Sequence, residues 1–140
     1  MRLFLAAPLF SDAERDFNLR VATELRKKGF EVWLAQEHKF VEHDSMEGKR
    51  AIFEEDLEAL KRADLILAVL DGVDVDTGVA FEMGYAHALG KHIFALKTDH
   101  RSFSKVESVN LMLEVPLRQI CGSVAEAATS IRKMEKEGKR

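Results

Sequence analysis

The sequence carries a single cysteine, Cys121, so it can form no internal disulfide, and no metal-type Cys/His spacing surrounds it. That excludes disulfide-stapled and zinc-built scaffolds and suits a reducing interior. His38, His43, His87 and His92 fall at no ligand spacing, so neither a metal nor a cofactor is expected. Long hydrophobic runs are also missing. The apolar N-terminal stretch MRLFLAAPLF is too short to cross a bilayer and lacks the length of a signal peptide, so it reads as the first strand of a cytoplasmic protein with no membrane partner. No charge of one sign dominates: 21 Lys and Arg stand against 24 Asp and Glu, a net charge of -3. Binding to a nucleic-acid backbone would call for clustered cations, and none is expected. Only the tail IRKMEKEGKR is charge-dense, and its alternating signs describe a solvated helix end. No G-x-G-x-x-G follows the first apolar run, which argues against a classical dinucleotide site.

What is present is an ordinary globular composition, 46% hydrophobic and 32% charged over 140 residues. That suffices for one domain, 1–140, burying about two-thirds of the surface its unfolded chain exposes. RLFLAA reads as a buried strand. Ser11 and Glu14 form an S-x-x-E capping box that opens a helix marked by Phe17, Val21 and Leu25 and stopped by Gly29. FEVWL (30–34) is a second strand, and residues 35–48 form a long loop. A helix over 49–62 follows, with Phe53, Leu57 and Leu60 as its inward stripe. DLILAVL (64–70), nearly all aliphatic, is a central parallel strand. The segment 76–91 is a helix ended by Gly90, HIFAL (92–96) is a fourth strand, a second loop covers 97–109, and a short segment reaches LRQIC. A helix over 123–136 closes the chain. Strict alternation of strand and helix implies a three-layer, doubly wound α/β fold of flavodoxin-like or Rossmann-like class, with a mainly parallel five-stranded sheet. Such sheets bind ligands beyond the carboxyl ends of their strands, here the rim after Ala6, Leu34, Leu70 and Leu96.

Three acids fall on or beside that rim. Asp56, three residues after Phe53 and four before Leu60, shares the apolar face of its helix; it is either a carboxylate at a site or a stripe-edge acid paired with an arginine. Asp76 stands at the N-cap of the next helix, which also aims it outward at the rim. Glu82 lies beside the inward stripe of Val79, Met83 and Ala86, and close to a helix start it should stay ionised. Gly78, one turn earlier, leaves a gap over that carboxylate. Residue type alone leaves a structural and a catalytic glutamate equally open, and three acids converging on one rim favour glycosyl chemistry, in which one carboxylate attacks the anomeric carbon and another manages the proton.

DVDTGVAFEMGYAHALGK (74–91) resembles the signature of the nucleoside 2-deoxyribosyltransferases, in which an aspartate, a glycine two residues on and a nucleophilic glutamate six residues on precede Gly-Tyr-Ala. APLFSDAERD, EEDLEALKRADLILAVLDG and VNLM resemble further segments of that family. The resemblance implies an enzyme that exchanges the bases of 2-deoxynucleosides through a covalent deoxyribosyl ester on Glu82, with Asp76 and Asp56 orienting sugar and base and protonating the departing base. Its partners would be nucleosides and free bases, and its assembly a homo-oligomer in which Asn110 completes a neighbour's site. Asn110 and Met112 belong to that matched segment; a turn or cap asparagine is the plain alternative for Asn110. Gln36 or Glu37 falls near a base-contacting glutamine, and Phe10 is either an apolar wall for the base or a core residue. Phe4 stands where the family often has a tyrosine that supports the nucleophile, so Tyr85 or water would have to replace that hydroxyl. The C-terminus is unlike the aromatic tail that reaches into the adjoining site in some members. A sister family, the 2′-deoxynucleoside 5′-monophosphate N-glycosidases, shares the glutamate but hydrolyses the bond; its Gly- and Ser-rich first loop is absent here, where only Ser11 and Arg15 are offered. A non-catalytic nucleoside-sensing domain of the same shape is the third reading.

Overall fold

The computed structural model describes residues 1–38 and 44–138. Five strands, β1 (Arg2–Ala6), β2 (Glu31–Leu34), β3 (Leu65–Val69), β4 (His92–Leu96) and β5 (Gln119–Cys121), form one sheet in the order β2-β1-β3-β4-β5. All four pairings are parallel. The chain therefore leaves β1 toward β2, then returns to the other side of β1 for β3. That reversal makes the carboxyl ends of β1 and β3 the topological switch point, where such sheets open a crevice.

Side chains alternate across the sheet and meet two cores. Leu3, Leu5, Leu65, Leu67, Phe94 and Leu96 face α1 (Asp12–Lys27) and α5 (Val124–Glu137). Phe4, Ala6, Ile66, Ala68, Ile93 and Ala95 face α2 (Met46–Arg62) and α3 (Thr77–Ala88). On this second face Ala6 pairs with Ala68, and Ala68 with Ala95. Three small residues abreast keep the sheet low where α3 crosses it, so the first turns of α3 come down onto the rim.

The helix ends follow the local signals. Ser11 caps α1 by accepting from Glu14 N while Glu14 reaches back to Ser11 N, the reciprocal box read in the sequence. Gly29 and Gly90 both adopt left-handed φ just beyond α1 and α3. Ser123 caps α5 through Glu126 N. In the long loop, Ala35–Glu37 form a single 3-10 turn, and α2 starts at Met46 rather than residue 49, because Ser45 supplies an N-cap to Gly48 N at 2.9 Å. His43 lies outside the described residues. The short segment before LRQIC includes a one-turn helix, α4 (Leu111–Glu114).

The stripe of α2 differs from expectation. Phe53 is 50% exposed, and the buried positions are Gly48, Ala59 and Leu60, with Ala63 following. The helix turns small residues toward the sheet and leaves Phe53 to meet Phe81 of α3 at a ring distance of 5.8 Å. Asp56 nevertheless lies on the inward side, because it is three residues before Ala59 and four before Leu60.

Candidate active site

Two helices bring the three acids to the α2/α3 face of the switch point. Asp76 is the N-cap of α3, its Oδ2 accepting from Val79 N at 3.0 Å. Glu82 follows on the same helix, half-buried between the core positions Val79, Met83 and Ala86. Asp56 enters from α2 and is also half-buried. All three interact electrostatically, since Glu82 is repelled by both Asp56 and Asp76.

The charge state of the cluster departs from expectation. Burial, then Asp56, then Asp76 push the Glu82 carboxyl up to about 8, so it holds a proton at neutral pH instead of staying ionised. The favourable field of a helix N-terminus fades beyond the first turn. Glu82 is the sixth residue of α3, where desolvation and two like charges outweigh it. Asp56 is raised as well, first by burial and further by Glu55, and is pulled back by the Trp33 indole N–H and by His38. No cation is paired with any of the three acids among the described residues. Glu82 therefore keeps its proton past neutrality.

Gly78 also has a local reason beside Asp76. A β-carbon there would stand 3.0 Å from Asp76 Oδ2. The glycine clears the capping carboxylate of Asp76.

The remaining sequence candidates separate into those at the rim and those committed elsewhere. Gln36 spans from the 3-10 turn to α1: its amide donates to Arg15 O at 2.8 Å and its carbonyl accepts from Asn18 Nδ2 at 3.1 Å. Glu37 holds Arg26 through both oxygens, at 2.7 and 2.6 Å. Both oxygens of that carboxylate thus accept from Arg26. Phe4 is 1% exposed, a core side chain between Trp33 and Ile66 on adjacent strands. Phe10 is 76% exposed before the capping box, so the core reading of it is excluded. Asn110 caps α4, Oδ1 accepting from Met112 N at 3.0 Å, as in the plain reading of it; among the described residues Nδ2 has no hydrogen-bond partner, and Met112 is exposed.

Two features were not singled out from sequence. Trp33 and His38 stack at 3.4 Å beside Asp56, and His38 lies 3.5 Å from Glu55. The period of β2 holds the signal for Trp33, since it pairs with Phe4 on the α2/α3 face. Beyond β3 and β4, Asp71 accepts from Thr98 N and Oγ1, while Asp99 accepts from Gly72 N, Lys97 and Arg101. Burial opposes the ionised Asp99, yet those donors hold its pKa well below the usual carboxylate range. This lattice ties the β3-α3 loop, which carries Asp76, to the end of β4. On the α1 side of the same rim a cleft of about 240 Å³ opens between Pro8, Phe17, Asn18, Asp71, Gly72 and Arg101, and none of the three acids lines it. No group of three His, Cys, Asp or Glu among the described residues is placed to hold a metal ion, and no helix there is long and apolar enough to cross a membrane.

Residues 3–130 match the family described as nucleoside 2-deoxyribosyltransferase. No curated protein matches the chain. Among solved structures, it is similar to a 2-deoxyribosyltransferase from the psychrotolerant bacterium Bacillus psychrosaccharolyticus, with 27% identity, a TM-score of 0.80, and coverage of 91% of this chain and 90% of that one. A 2-deoxyribosyltransferase from Leishmania mexicana shares the fold at 22% identity and a TM-score of 0.72, covering 93% and 95% of the two chains. A CMP N-glycosidase from Clostridium botulinum shares it at 24% identity and a TM-score of 0.61, covering 94% and 99%.

Proposed function

The chain belongs to the nucleoside 2-deoxyribosyltransferase family, and from that premise we propose that it exchanges the base of 2′-deoxynucleosides through a covalent deoxyribosyl ester on Glu82. The observation that carries this reading is the convergence of Glu82, Asp56 and Asp76 on one rim with Glu82 half-buried. Asp76 is bound to Val79 N, whereas Asp56 is raised by burial and has a buried oxygen without a partner. Asp56 is therefore the proton donor and Asp76 the sugar-orienting acid. When substrate binds, the proton of the cluster passes from Glu82 to Asp56. A Glu82 oxygen then attacks C1′, the C1′–N bond breaks, and its electron pair on the departing base takes the proton of Asp56. A second base attacks C1′ of the ester, releases Glu82 and returns its N–H proton to Asp56.

The substrate is a nucleoside without a 5′-phosphate. Arg15, a cation in the first turn of α1, already donates to Leu9 O at 2.9 Å and pairs with Asp12, and Asp76 would repel a phosphate. The protein works as a homo-oligomer of nucleoside salvage, with Asn110 Nδ2 reaching the 5′ end of a sugar in a neighbouring copy. The exposed apolar side chains of Leu111, Met112 and Val115 around it support a contact surface.

Mixing a deoxynucleoside with a different free base and separating the products tests the reading. The exchanged nucleoside is expected. Base release without exchange at any base concentration identifies an N-glycosidase, and binding without either product identifies a sensing domain.

A further inference from the structure

We propose that Trp33 is a positioning residue for Asp56, its indole N–H closing a hydrogen bond onto that carboxylate as Asp56 hands its proton to the departing base. The inference rests on the reading of Asp56 as proton donor. Three buried side-chain polar atoms among the described residues have no hydrogen-bond partner: Asn18 Oδ1, Trp33 Nε1 and Asp56 Oδ1. The last two are a donor and an acceptor close enough for the indole to favour the ionised carboxyl, yet short of hydrogen-bond geometry. Indole N–H can only donate, and among the described residues the unpartnered Asp56 oxygen is the acceptor beside it.

The indole is held for this task. It shares a sheet face with Phe4, packs against the α2/α3 core, and is covered by the His38 ring at 3.4 Å with an interplanar angle of 18°. Around Asp56 stand His38 beyond β2, Glu55 on its own helix and Glu82 on α3. Trp33 is the one neutral donor in that set.

The pair changes strength in the direction of reaction. Once Asp56 has taken the proton from Glu82 in the substrate complex, Trp33 faces a neutral oxygen. As the C1′–O bond to Glu82 forms and the C1′–N bond breaks, the base nitrogen takes the Asp56 proton and leaves a carboxylate. A hydrogen bond to an ionised acceptor is shorter and about twice as strong as a neutral one. Stabilisation that grows toward the transition state accelerates the step rather than tightening the ground state. In the second half-reaction the incoming base reprotonates Asp56 and the bond relaxes.

Trp33→Phe keeps an aromatic ring and removes the N–H together with the fused five-membered ring. The kcat for exchange is expected to fall about 10- to 100-fold with KM within about twofold, in a variant that stays folded at the assay temperature. Trp33 is also the sole tryptophan, so its indole N–H gives one resonance in a proton–nitrogen spectrum. That resonance should move downfield as Asp56 ionises in the wild-type protein and stay in place in Asp56→Asn. Full kcat in Trp33→Phe, or the same movement in Asp56→Asn, overturns the proposal. A wild-type protein that turns over nothing overturns the functional reading instead, and the indole titration still decides for or against the pair.

Discussion

Asp76 Oδ2 lies 3.0 Å from the point where a β-carbon on residue 78 would stand, while the same oxygen accepts the Val79 N–H at 3.0 Å. Cap, glycine and site acid are one device. Alanine is a better helix former than glycine by about 1 kcal/mol, so Gly78→Ala gains propensity and loses cap geometry. The expected result is a melting temperature within a few degrees of wild type and exchange activity lower by roughly tenfold or more. Unchanged steady-state kinetics in Gly78→Ala would show that Asp76 need not be held in place.

Glu82→Ala should remove turnover and leave the fold intact. The pH dependence of stability gives a second view of the same residue. In the unfolded chain Glu82 loses its proton near 4.5, in the folded chain near 8. Between those values the folded protein binds a proton that the unfolded chain does not, so this group's contribution is complete at low pH and is lost as pH rises toward about 8. Melting curves from pH 5 to pH 9 should fall less steeply for Glu82→Gln than for wild type. Parallel curves would mean that the carboxyl titrates as an exposed one.

The cluster also sets the pH profile of the reaction. Its last proton is the one the base takes, and it is lost as pH rises through about 8. The kcat/KM for a deoxynucleoside is therefore expected to decline above that pH. A rate that climbs steadily to pH 9 would show that the base leaves without a proton from these acids.

Gln36 and Glu37 should behave as scaffold. Gln36→Ala removes bonds to Arg15 O and to the buried Asn18, and is expected to destabilise by about 1–3 kcal/mol. Glu37→Gln weakens a partly exposed pair with Arg26 worth about 0–1 kcal/mol, and KM for the free base should change less than twofold. A large KM increase in Glu37→Gln, measured against several bases, would return it to the base pocket.

Asn110→Asp separates the two jobs of that residue. The carboxylate keeps an acceptor for Met112 N but loses the free amide. With the melting temperature held, KM for the nucleoside should rise by about tenfold, as expected when a donor to a substrate hydroxyl is lost. No kinetic change would leave Asn110 as a helix cap alone.

The sequence by itself determined the alternation of elements, and with it the parallel sheet and the rim. Aliphatic runs such as LILAV have no stable place except a strand covered on both faces, and caps such as Ser11 with Glu14 are local chemistry within four residues. The spacing from Asp76 through Gly78 to Glu82 is likewise written in one helix. Tertiary structure decided what depends on distant chain: the rotation of α2 that exposes Phe53, the commitment of Glu37 to Arg26, the stack of Trp33 with His38, and the proton on Glu82. Periodicity tells which side of a helix is apolar only to within a residue or so, and a pKa depends on charges and burial contributed by other helices. Neither the desolvation of Glu82 nor the approach of Asp56 exists until α2 and α3 pack on the same face of the sheet.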